Sequence, residues 1–263
     1  MQLPLFIVDA FTTVRFRGNP AAVVPLQAWL PDALMQAIAS ENNLSETAFF
    51  VREADGAFAI RWFSPLREVA FCGHATLASA FVVATQGLAP LPLRFRAAAV
   101  GELAVDREAD GRFVLRFPNQ APTALATVPQ ELAQALSIAP QAAYRNAQAY
   151  IAVYADEAQV RAVVPDLARM LALAPRDVAV TAPGRDHDFV SRYFWPANGG
   201  VEDPVTGSIH AALAPLWAQR LGKQDLRAWQ ASARGGELDC RVLPDHVQVR
   251  GAAVQYLHGT IAL

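Results

Sequence analysis

Two kinds of apolar stretch alternate along this chain. Short runs rich in β-branched and aromatic residues have strand length, at 47–51 and 57–63 in the first half and at 178–182 and 188–194 in the second. Asp55-Gly56 separates the first two as a hairpin signal. Further strands are predicted at 101–106 with 112–117 and at 236–242 with 246–249. The other kind is helical. Residues 74–86 carry no charge and end at Gly87; residues 208–221 are rich in Ala and Leu, contain Pro215 and end at Gly222. A helix apolar on most sides has to be buried on most sides. Among short strands, the economical way to bury it is a curved sheet wrapped around it. Pro215 is expected to bend or loosen the second helix. Amphipathic helices are predicted from Pro31-Asp32 over 31–38 and from Pro165-Asp166 over 165–171, proline standing where its missing N–H costs little.

The same landmarks recur about half a chain apart. Gly73 answers to Gly207, Pro31-Asp32 to Pro165-Asp166, and Gly101-Glu102-Leu103 to Gly236-Glu237-Leu238. Phe58 to Pro65 answers to Phe189 to Pro196 in the same order. Self-similarity of this kind sets the fold. Two copies are too few for a solenoid. The expectation is an α+β protein of two pseudo-symmetric lobes, each a strongly curved, mostly antiparallel sheet around a central apolar helix. The lobes are placed at 1–118 and 119–252, with 253–263 returning to the first and the polar, proline-containing stretch 119–123 as linker. The function is expected in the cleft between them, a favoured place for small-molecule sites.

Composition narrows the function classes. Of the 263 residues, 53% are hydrophobic and 17% charged, an ordinary compact protein. A net charge of −2 gives no electrostatic reason to expect nucleic acid, and the arginines never form a polybasic run suited to a membrane surface. No apolar run reaches the roughly 20 residues that cross a bilayer. The start, Met1 to Asp9, lacks a basic flank and reads as a buried strand rather than a signal peptide. Two cysteines, Cys72 and Cys240, do not occupy matching positions, so a disulfide framework is not expected and a cytoplasmic setting is. Lys223 is the one lysine and follows a helix-ending glycine, which speaks against Schiff-base chemistry.

Candidate chemistry gathers at the two glycine-led turns, Phe71-Cys72-Gly73-His74-Ala75-Thr76 and Glu202-Asp203-Pro204-Val205-Thr206-Gly207-Ser208. The first amides of a helix lack partners and, with its dipole, favour an anion or developing negative charge. The competing reading is that both glycines merely permit tight turns. Glu46 opens a strongly apolar strand; desolvated there, its carboxyl would gain the proton affinity that a general base for a carbon acid needs. On local sequence, an exposed strand-end glutamate is the alternative. Asp203 is a partner acid or a turn cap, His74 a donor to substrate oxygen or a satisfied N-terminal histidine, and Ser208 an N-cap or a carboxylate binder. Cys72 lines the site rather than acting as thiolate. Asp186-His187-Asp188 reads as a hairpin turn rather than a metal site, and no dinucleotide, P-loop or nucleophile-elbow pattern occurs.

These residues resemble a known family. Asp9-Ala10-Phe11, Gly18-Asn19-Pro20-Ala21-Ala22-Val23, Asn43-Leu44-Ser45-Glu46-Thr47-Ala48-Phe49, Arg61-Trp62-Phe63-Ser64-Pro65 and both glycine turns, in this order, are similar to the PhzF-like isomerases of phenazine biosynthesis, within the diaminopimelate epimerase structural superfamily. The resemblance covers essentially the whole chain. It implies two lobes with an interlobe site, no metal, no organic cofactor and a homodimer acting on a small-molecule carboxylate. By motif, Glu46 would remove and return the proton. His74, Asp203 and Ser208 would bind substrate or relay the proton, Ser45 would face the ligand, and the amides around Gly73 and Gly207 would stabilise negative charge. The resulting expectation is a proton-shift isomerase of small cyclic carboxylic or amino acids. An amino-acid epimerase using Cys72 and Asp203, and a non-catalytic protein that binds a metabolite or a partner protein, are the competing readings.

Overall fold

A computed structural model describes residues 2–263, the side chain of Asn198 excepted. The chain is α+β. It divides into one compact unit of residues 1–116 with 250–263 and a second of residues 117–249. In the first unit, strand Gln2–Ala10 pairs antiparallel with Ala253–Ala262 and with Asn19–Leu26. Asn19–Leu26 runs parallel to Glu46–Arg52, which pairs antiparallel with Phe58–Phe63. Phe58–Phe63 takes the two-residue strand Glu68–Val69 antiparallel and Leu93–Ala97 parallel. The second unit has the same series. Ala142–Arg145 is antiparallel to Ala149–Val153, which is parallel to Asp177–Pro183; this pairs antiparallel with Phe189–Phe194. Phe189–Phe194 takes Glu202–Asp203 antiparallel and Asp225–Gln230 parallel.

The first apolar helix spans Gly73–Thr85 and is buried from Gly73 through Ala80, and again at Val82 and Val83. Its polar side chains turn inward on the helix itself: Thr76 Oγ1 donates to the Cys72 carbonyl at 2.6 Å and Ser79 Oγ to the Ala75 carbonyl at 2.7 Å. Such back-bonding lets hydroxyls be buried without outside partners. The early helix of this unit runs over Asp32–Asn42 and closes with Asn43 in the left-handed region.

In the second unit the long helix starts at His210, two residues later than the sequence implies, and runs to Leu221. Gly207, Ser208 and Ile209 form a tighter entry instead, His210 N bonding Gly207 O at 3.2 Å and Ala211 N bonding Ser208 O at 3.1 Å. Ser208 is therefore no N-cap. The helix continues through Pro215 and ends at Gly222, whose φ of 67° suits glycine. Trp217 Nε1 ties it to Thr181 Oγ1 at 2.9 Å. The second early helix is short: Leu167–Met170, capped by the Asp166 side chain, passes into a 3-10 turn at Leu171–Leu173. The stretch 119–123 is not a loose linker. Asn119 N donates to Asp245 O, Gln120 N donates to Ala211 O, and Thr123–Ala124 pairs with Tyr144 and Arg145. Among the described residues, no helix is long and apolar enough to cross a membrane.

Candidate functional site

In the first unit, three elements converge on Glu46. The parallel pair sets Ala21 opposite Glu46, so the strand carrying Asn19 runs beside the strand that Glu46 opens. The helix Gly73–Thr85 then brings His74 in its first turn. Gly18 makes the approach to Asn19 feasible: its φ is 65°, and a Cβ there would stand 2.1 Å from the Ala10 carbonyl oxygen. Glu46 is 7% exposed, His74 4%, and Asn19 fully buried.

The hydrogen bonds have one consistent direction. Ser45 Oγ donates to Asn19 Oδ1 at 3.3 Å, and the Asn19 NH2 lies toward His74 Nδ1 at 3.1 Å. Nδ1 is thus an acceptor, and the ring proton sits on Nε2, 3.2 Å from Glu46 Oε2. Burial pushes the His74 pKa down to about 3, so the imidazole is neutral and donates to the carboxylate as a dipole rather than as a cation. Cys72 Sγ lies 3.4 Å from the same Nδ1 and caps the helix without a side-chain cap bond. Trp62, opposite Ala48 in the antiparallel pair, shares the sheet face of Glu46, since alternate residues share a face. Its buried Nε1–H has no hydrogen-bond partner among the described residues. Ser45, Glu46, Gly73 and His74 are therefore brought together; Asn19, which holds them in register, was not among the residues singled out from the sequence.

The second unit builds its turn differently. Asp203, half-buried, accepts from Thr206 Oγ1. Fully buried Gln230 clamps the backbone of the turn, its Nε2 donating to Asp203 O and its Oε1 accepting from Thr206 N, both at 2.8 Å. Glu202, one residue before Asp203, receives a two-pronged hydrogen bond from Arg192 at 2.8 and 2.9 Å. The same arrangement occurs in the first unit, where Arg61 grips Glu68 at 2.7 and 2.6 Å ahead of the Gly73 turn. Planar guanidinium and carboxylate match in this geometry, which fixes orientation as well as distance.

Ser208 Oγ accepts from Gln148 Nε2 at 2.9 Å, and the same nitrogen reaches Tyr193 OH at 2.9 Å. Tyr193 OH donates to Asp177 Oδ2 at 2.6 Å. Burial, with the Asp177 carboxylate beside it, holds the Tyr193 pKa well above its usual value, so the phenol remains a donor. Strand register gives these residues a meaning. Thr47 is opposite Phe63 as Val178 is opposite Phe194, so Asp177 occupies in the second unit the place of Glu46 in the first. Glu68 is opposite Phe63 and Glu202 opposite Phe194; counting on from there, Thr206 stands where Cys72 does and Ser208 where His74 does. The second copy thus keeps a buried carboxylate but surrounds it with Tyr193, Gln148 and Ser208. Asp177, Tyr193, Gln148, Thr206 and Gln230 were not picked out as site residues.

The family described as phenazine biosynthesis-like protein, PhzC-PhzF, matches residues 8–259. Two proteins of Pseudomonas aeruginosa, both named uncharacterized isomerases, are each 49% identical over 263 residues, with 100% of both chains covered. A crystal structure of a PhzF-family phenazine biosynthesis protein from Enterococcus faecalis is 43% identical, covers 100% of both chains and gives a TM-score of 0.95. The chain therefore belongs to the PhzF, phenazine biosynthesis-like family, and the two Pseudomonas relatives carry the name isomerase. The family resemblance read from the motifs is correct. The fold likeness extends to a hydroxyproline epimerase of Agrobacterium vitis, at a TM-score of 0.60 and 12% identity, covering 100% of this chain and 93% of that one. At that identity it shows the fold alone.

Proposed function

We propose that this protein is a cofactor-independent isomerase that shifts a proton between carbons of a small cyclic carboxylic or amino acid. One observation carries the reading: a buried carboxylate, Glu46, 3.2 Å from Nε2 of a buried imidazole, His74, whose other ring nitrogen meets Asn19. A carboxylate out of water is less stabilised as the anion, which favours taking a proton. Glu46 removes the proton from an activated C–H, and the charge left on the ligand is met by the first amides of the helix Gly73–Thr85. His74 holds the carboxylate throughout, and Glu46 returns the proton to a different carbon. In the second unit, Ser208 and the amides around Gly207 are assigned to a ligand carboxylate, and Asp203 to a ligand ammonium or hydroxyl or to the proton relay.

The epimerase reading assigns Cys72 and Asp203 as opposed acid and base. By strand register the counterpart of Cys72 is Thr206, a poor acid, and Asp203 falls where the first unit has Val69. The test is proton exchange with a panel of cyclic hydroxy- and amino-acids in heavy water. Glu46→Gln is expected to abolish deuterium incorporation while ligand affinity stays within about threefold, a difference under 1 kcal/mol. Exchange at the parental rate in that variant refutes Glu46 as base. Inversion at a single carbon, lost in Cys72→Ser, favours the epimerase.

A further inference from the structure

The proton-transfer centre contains three metal-binding side chains, and one of them has no role in the isomerisation. The ligating atoms of Glu46, Cys72 and His74 all lie within 4.8 Å of one another, and all three residues are buried. His74 Nε2 is 3.2 Å from Glu46 Oε2 and 4.0 Å from Cys72 Sγ. Zinc bonds of roughly 2.0–2.3 Å in a tetrahedron place neighbouring ligand atoms about 3.3–3.7 Å apart. The trio is wider than that, with Sγ 3.4 Å from Nδ1 and 4.0 Å from Nε2, so ligation requires the thiol to rotate and the three groups to draw together.

From this we propose that Glu46, Cys72 and His74 form a three-ligand site for a soft divalent cation such as Zn2+, whose occupancy blocks the isomerase centre. The ligand types suit that class of ion: a thiolate, an imidazole nitrogen and a carboxylate oxygen are ligands that zinc prefers, whereas magnesium and calcium take all-oxygen sets. Thiolate and carboxylate together offset the charge of the cation, the thiol proton leaving to solvent. The orienting partner that a ligating histidine needs is in place. With the ion on Nε2 the ring proton moves to Nδ1, and Asn19 accepts it by turning its amide so that Oδ1 faces the ring. Ser45 Oγ then accepts from the amide nitrogen. The fourth position is left for water or a substrate oxygen. The ion is an inhibitor here, because it occupies the carboxylate that must take the proton; this part rests on the isomerase reading.

The experiment is titration of the chelator-treated full-length protein with Co2+, followed by visible and ultraviolet absorption, then displacement by Zn2+. One equivalent per chain is expected to produce intense tetrahedral bands and a thiolate-to-cobalt charge-transfer band. Cys72→Ser keeps a good capping residue at the helix start; it is expected to lose the charge-transfer band and to weaken binding at least tenfold. Cys240→Ser changes neither, since Cys240 is not one of the three ligating residues. Absence of stoichiometric binding, a charge-transfer band that survives Cys72→Ser, or one lost in Cys240→Ser overturns the site. Binding is read without substrate and exchange is read on metal-free protein, so the two readings fail separately. Zn2+ that binds through Cys72 yet leaves proton exchange intact refutes the inhibition.

Discussion

Removing the Asn19 side chain tests how the site holds its geometry. Asn19→Ala takes away a buried donor to His74 Nδ1 and the acceptor for Ser45 Oγ. Leaving a buried acceptor unsatisfied costs about 1–3 kcal/mol. If the cost falls on the oriented Nε2–H···Glu46 arrangement, the rate drops by about 5–150-fold, since each 1.36 kcal/mol is a factor of ten. The assay is twofold: solvent-deuterium incorporation into a turned-over ligand, and long-range proton–nitrogen spectra of the His74 ring. The parent is expected to show the Nε2–H tautomer and Asn19→Ala a mixture, with ligand affinity little changed. Asn19→Asp separates orientation from simple destabilisation. A carboxylate there accepts from Nδ1–H, so the tautomer inverts and Nε2 turns its lone pair on Glu46. Exchange is then lost although the helix and strands stay folded. A parent protein found with Nδ1–H, or an Asn19→Asp variant exchanging at the parental rate, refutes the reasoning.

Other predictions follow from the same contacts. Arg192→Ala breaks a pair whose side chains are only 13% and 21% exposed. It is expected to cost about 2 kcal/mol in urea unfolding, between the values for exposed and buried pairs, whereas Arg227→Ala at a more exposed pair leaves stability unchanged. Leu77→Ala, in the middle of the first buried helix, is expected to cost about 3 kcal/mol as the cavity term adds to the lost transfer energy. His210 donates through Nδ1 to Thr206 O, and burial lowers its pKa from the ordinary 6.5 to about 4. Below pH 6.5 the unfolded chain binds a proton that the folded one refuses, so stability is full above that pH and falls as pH drops toward 4, by at most about 3 kcal/mol. His210→Gln is expected to flatten this part of the stability profile. An unchanged slope contradicts the assignment.

The long apolar helices and most strands were legible because burial on all sides leaves a plain signature: no charge between His74 and Gln86, and β-branched runs bounded by turns. Ser45, Glu46 and His74 stood in contiguous motifs and were named. Asn19 carries no local sign of its role, because it meets His74 across 55 residues, through a parallel pairing that no local pattern predicts. Asp177 was hidden for a related reason. The apolar pattern starts the strand at Val178, one residue short, and only the register against Phe194 aligns Asp177 with Glu46. Ser208 was read as a possible N-cap from type and position, but Gln148 takes its hydroxyl and the chain enters the helix through a tighter turn. The second early helix was overestimated because Pro165-Asp166 sets a helix start, not its length.

Glu46 as proton carrier stands or falls with a crystal structure of the metal-free protein holding a bound substrate found by the heavy-water screen. The prediction is that the exchanging carbon lies within about 3.5 Å of a Glu46 carboxylate oxygen, the near-attack distance, with His74 Nε2 on the other oxygen. A ligand whose exchanging carbon faces Cys72 or Asp203 while Glu46 stands apart from it rules Glu46 out as the base.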